Sequence, residues 1–89
     1  MWSVYLVRCS DDTLYCGIAR DVAARIAEHE AGKGAKYTRG RGPLTLVTTV
    51  RFRDKGKALR VEHAIKQLTR AEKATLDARA VGLLARRLG

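Results

Sequence analysis

Between residues 2 and 8 apolar side chains fill nearly every position, with Trp2, Val4 and Leu6 on one parity and Tyr5 and Val7 on the other. That pattern predicts a strand buried on much of both faces. Ser10-Asp11-Asp12-Thr13 supplies turn chemistry, and Leu14 to Ile18 follows as a second short strand, so the two make a hairpin. Asp21 is placed to cap a helix running to about Ala31, with Val22 and Ile26 on its inner side and Gly32 as a stop signal. Gly32 to Gly42 holds four glycines and reads as a surface loop. Leu44, Leu46, Val50 and Phe52 share one parity, which predicts a third strand beginning just after Pro43.

Asp54 then reads as an N-cap, and Ala58, Val61, Ile65 and Leu68 form the stripe of an amphipathic helix. Thr69-Arg70-Ala71-Glu72 matches a capping box, so a third helix starts there and is expected to weaken at Gly82. The order is β-β-α-β-α-α. Because the first two strands form a hairpin, the expected fold is α+β, a small mixed, largely antiparallel three-stranded sheet flanked by helices. At 89 residues, one domain is expected, with its core over about residues 2–75 and a helical tail over 76–89.

Composition and charge narrow the partners. The apolar fraction of 46% and charged fraction of 30% belong to a globular chain. No apolar run approaches the roughly 18 residues needed to span a bilayer. The N-terminus has no basic region followed by a long apolar one, so a cytoplasmic location and two free thiols are expected. The net charge is +9, from 18 Lys and Arg against 9 Asp and Glu. Lys33, Lys36, Arg39 and Arg41 cluster in the glycine-rich loop without an acid, and Arg51 to Lys57 adds four cations against Asp54 alone. A clustered cationic patch is the footprint of nucleic-acid binding, since phosphate contacts release condensed counterions. Anionic membrane and acidic protein are the other partners such a charge admits. The Ala-rich stretch from Ala71 to Gly89 leaves a role in binding a protein partner open as well.

Several chemistries are excluded by what is missing. There is no phosphate-loop Gly-Lys-Ser/Thr motif and no Gly-x-Gly-x-x-Gly after a strand. Cys9, Cys16, His29 and His63 match no zinc spacing, and Cys16 between Tyr15 and Gly17 reads as a packed side chain. Tyr5, Tyr15, Arg25, His29 and Glu62 remain as candidates on core elements. Arg25 and His29 lie four apart on one side of a helix, where together they can grip a phosphate. Glu62 flanks the buried stripe of the next helix and needs a partner, either an arginine or a hard cation such as Mg2+. An Arg25–Glu62 salt bridge and two tyrosines packed across the hairpin are the purely structural alternatives.

The combination of Ser3-Val4-Tyr5, Tyr15-Cys16-Gly17, Arg25 and Glu62 resembles the signature of the GIY-YIG nuclease superfamily. The first triplet keeps only its tyrosine; the second keeps both end residues. Gly32 to Pro43 looks like the loop of the small stand-alone bacterial branch. The resemblance covers about residues 2–75 and implies a metal-dependent endonuclease acting on DNA, with RNA as the less expected substrate. Larger family members select their substrate with a separate domain, for which 89 residues leave no room. Low sequence specificity is therefore expected, on branched or single-stranded forms. Glu62 would hold one divalent ion, Mg2+ or Mn2+, and Arg25 would contact the scissile phosphate. Tyr15 would serve as general base, Tyr5 would orient the water, and His29 would assist beside the arginine. A phenol ionises near pH 10, so such a base needs nearby cations. DNA repair is the setting the resemblance implies. Position 18 is Ile where the excision-repair branch carries lysine. Lys33, Lys36, Tyr37, Arg39 and Arg41 are the expected nucleic-acid contacts, Tyr37 by stacking on a base. A catalytically weak binding module using the 33–41 loop is the alternative.

Overall fold

The computed structural model describes residues 1–31 and 43–88. Strand β1 (Trp2–Arg8) runs between β2 (Leu14–Ala19) and β3 (Thr45–Phe52), giving the order β2-β1-β3 with both pairings antiparallel. The expected α+β sheet is therefore present. Central placement explains why β1 needs apolar residues on both parities: Val4, Leu6, Tyr5 and Val7 are all buried. The hairpin turn closes through the Cys9 N–H donating to the Thr13 carbonyl at 2.8 Å and the Asp12 N–H to the Cys9 carbonyl at 3.0 Å. Asp12 takes a left-handed φ of 68°, which a short acidic side chain tolerates better than most. The Asp11 carboxylate accepts from both the backbone and the hydroxyl of Thr13.

Helix α1 (Val22–Glu30) covers one face of the sheet, capped as expected by Asp21, whose carboxylate accepts from the Ala24 N–H. Tyr5, Val7, Cys9, Ala19 and Leu44 form the core on that side, with Tyr15, Val22 and Ile26 against it. The opposite face packs Val4, Leu6 and Cys16 on Ala58, Val61 and Ile65 of α2 (Lys55–Lys66). Asp54 caps α2, accepting from the N–H groups of Gly56 and Lys57.

Two expectations are corrected. The register against β1 slips between Leu6 and Val7, where Thr48 and Leu46 are the successive partners and Val47 is the extra residue. This bulge reverses which parity faces which layer. Val50 and Phe52 join the α2 core, Leu44 joins the α1 core and Leu46 stays 44% exposed. The last helix is also two helices. The Thr69–Glu72 capping box forms in full, but α3 (Arg70–Ala74) stops after five residues. Leu76 then packs into the core, and Asp77 caps α4 (Ala78–Arg87) by accepting from the Ala80 N–H at 2.8 Å. Gly82, the expected weak point, lies inside α4 with open space where a Cβ would be. Val81 and Ala85 of α4 are buried in the α2 core.

Gly17 pairs with Tyr5 across β1 and β2, and a Cβ at Gly17 would stand 2.5 Å from the Tyr5 hydroxyl oxygen and 2.7 Å from its Cζ. The phenol lies over the space a side chain would take. Gly17→Ala is expected to destabilise the fold by about 1–3 kcal/mol, the range for overpacking a tight interior. Urea unfolding would read it as a lowered midpoint at unchanged slope.

Candidate active site

Tyr5 and Tyr15 point to the α1 face as diagonal neighbours, with ring centroids 6.4 Å apart. His29, in the last turn of α1, lies against both rings, at 6.3 Å from Tyr5 and 5.4 Å edge-on from Tyr15. Its Nε2 is 3.0 Å from the Tyr5 hydroxyl. Which of Tyr5 and His29 donates in this bond depends on the ring nitrogen of His29 that carries the proton. The Arg25 guanidinium, one turn earlier, lies near the same hydroxyl and works to lower its pKa. His29 is neutral at pH 7, its pKa being lowered below the ordinary 6.5.

The electrostatics agree. Burial, and then the Arg25 charge, lower the His29 pKa against the opposing pull of Glu28. Burial, with Tyr15 adding to it, pushes Tyr5 up to about 12 despite Arg25. Tyr5 is 1% exposed and His29 2%, so both act from behind the surface. Arg25 keeps 36% of its side chain exposed and pairs with Glu28 at 3.1 Å. A phosphate can therefore reach Arg25, while His29 faces the phenols instead of sharing the grip.

Glu62 comes from the other layer. It is 18% exposed and pairs with Lys66 one turn later at 3.7 Å. The Lys66 ammonium lies 6.0 Å from the Tyr15 ring centroid, so this lysine neighbours both the Glu62 carboxylate and the tyrosine of the edge strand β2. The alternative of an Arg25–Glu62 salt bridge is replaced by these two own-helix pairs, Arg25–Glu28 and Glu62–Lys66. Cys16 points to the α2 side, away from His29. Burial, then the Glu62 charge, push its thiol up to about 12, which removes it as a nucleophile. Among the described residues no group of three or more His, Cys, Asp or Glu can enclose a metal. One half-buried carboxylate is a donor set that fits a hard cation retaining most of its waters, such as Mg2+.

Lys33, Lys36, Tyr37, Arg39 and Arg41 lie outside the described residues. Sequence reasoning misses Lys66 and Glu28. Each stands at helical spacing from a chosen residue, i+4 from Glu62 and i+3 from Arg25, which is the signal that marks them.

The GIY-YIG catalytic domain profile matches residues 1–75. The chain belongs to this family. A UPF0213 protein of Natronomonas pharaonis is 53% identical over 79 residues, covering 89% of this chain and 93% of that protein. The UPF0213 protein YhbQ of Salmonella typhimurium is 49% identical over 75 residues, covering 84% and 75%. The solution structure of the UPF0213 protein BH0048 from Bacillus halodurans has a TM-score of 0.54 and 48% identity, covering 83% of this chain and 80% of that one. The relatives come from archaea as well as bacteria, so the branch is wider than the bacterial one its loop resembles. Membership of a nuclease family makes nucleic acid the class of substrate. Among the described residues no helix is long and apolar enough to cross a membrane.

The buried histidine gives stability a definite pH dependence. Below about pH 6.5 an unfolded histidine takes up a proton that His29 resists, so the unfolded state binds more protons and stability falls as pH drops. His29→Gln should flatten this part of a Tm profile measured from pH 7.5 to 5. At the alkaline end the native state keeps protons on Cys16 and Tyr5 up to about pH 12, from ordinary values of 9.0 and 10.0. Stability is then expected to decline from about pH 9 upward, and less steeply in Tyr5→Phe.

Proposed function

We propose that the chain hydrolyses phosphodiester bonds in DNA with one divalent cation, Mg2+ or Mn2+, and with low intrinsic sequence specificity. The observation that supports this reading is that Arg25 on one layer stands beside Tyr5, while Glu62 on the other pairs with Lys66, whose ammonium lies by Tyr15 on the edge strand. Arg25 is the exposed donor for the scissile phosphate. Glu62 would hold the cation, which when bound supplies Lewis-acid stabilisation of phosphate charge. Of the two tyrosines, Tyr15 is the one suited to take a proton from water: it borders an open groove, whereas Tyr5 is buried and hydrogen-bonded to His29. Tyr5 is then a positioning residue, aligning the guanidinium from behind, and His29 holds Tyr5. In this reading the products carry a 5'-phosphate and a 3'-hydroxyl.

The test is cleavage of labelled single strands, flaps and duplexes with Mg2+ or Mn2+. Activity should vanish with EDTA and fall roughly 10²- to 10³-fold in Arg25→Ala, the scale of losing one fixed donor to developing charge. Glu62→Gln should lose activity and recover little with added metal. Arg25→Lys should fail as well, since an ammonium lacks the planar fork. Cleavage unchanged in Glu62→Gln and Arg25→Ala would overturn the assignment.

A further inference from the structure

Hollows along the outer edge of β2 share their walls. One of about 300 Å³ is bounded by Tyr15, Lys66 and Lys73. The next, about 240 Å³, is bounded by Arg70 and Lys73, and a third, about 470 Å³, by Arg70 and Arg8. Leu14 borders all of them, and each neighbouring pair shares a cation. They make one groove from Tyr15 to the hairpin turn, with an apolar floor and a row of positive side chains.

Those charges are available to a ligand. Among the described residues Arg70 and Lys73 have no ion-pair partner. Glu72, between them in sequence, has its carboxylate engaged by the Thr69 N–H at 2.9 Å. Among the described residues Arg8 is held only by exposed Asp12 at 3.9 Å, at the far end. Successive cations beside an apolar strip suit a backbone of phosphates joined by sugars and bases.

We infer that this groove is a track for a single nucleic-acid strand leading out of the active site, with Lys73, Arg70 and Arg8 meeting the phosphates that follow the scissile one. The assignment rests on the nuclease reading for where the track begins, but its affinity can be measured without cleavage.

The experiment follows a fluorescein-labelled oligothymidylate by anisotropy in EDTA over a salt series. Arg70→Gln/Lys73→Gln should weaken binding roughly tenfold near 0.1 M salt and make the slope of log K against log salt shallower by about 1.4, some 0.7 for each phosphate no longer neutralised. Arg51→Gln/Arg53→Gln removes the same charge at the end of the other edge strand, β3, and should cause a much smaller change. Arg70→Lys/Lys73→Arg should bind like the parent, with melting curves unchanged throughout. Binding unaffected by the groove pair, or equally weakened by both pairs, would overturn the track. If the parent chain does not cleave while the groove pair still loses binding, the nuclease reading falls and the track stands. If it cleaves and the groove pair binds normally, the track falls alone.

Discussion

A single buried phenol organises the α1 side of this molecule. Tyr5 is placed by the middle strand, shares a hydrogen bond with His29 at 3.0 Å and lies near the Arg25 guanidinium, so one oxygen faces the helix at two successive turns. An unsatisfied phenol at that depth would cost about 1–3 kcal/mol, and the arrangement satisfies it with a directional partner in place of plain apolar packing. The bare α-carbon of Gly17 is the other half of the design, because any side chain there would collide with the ring. The opposite face, with Val4, Leu6, Val61 and Ile65, is an ordinary apolar core. One face is thus apolar packing, and the other carries the polar candidates.

The edge strand lets two layers contribute to one place. Adjacent residues of β2 alternate in direction, so Tyr15 turns to α1 and Cys16 to α2. Around a central strand, groups from the two layers would be separated by the sheet. Around an edge they can converge, and Lys66 does so, pairing with Glu62 while lying over Tyr15.

Much of the architecture is legible in the chain, because caps and periodicities are local. Asp21, Asp54 and the Thr69–Glu72 box all start helices where their chemistry says they should. What escapes a sequence reading depends on long-range packing. The bulge at Val47 is set by register against β1, which is why the shared parity of Leu44, Leu46, Val50 and Phe52 does not make a single face. The break before Asp77 follows from Leu76 reaching the core, and no propensity at Gly82 competes with that. Among the candidate residues, Tyr5, Tyr15, Arg25 and His29 are picked out by the family resemblance, but their division into buried and open groups is not. Burial of Tyr5 and exposure of Arg25 are properties of the tertiary fold.

The Glu30 carboxylate accepts from the Leu44 N–H at 3.2 Å, joining the end of α1 to the approach of β3. The stretch of chain between them thus leaves and re-enters at a single fastened corner. Doubling the length of such a stretch adds only about 0.6 kcal/mol of closure entropy. Its length can therefore change at little cost to the rest of the fold.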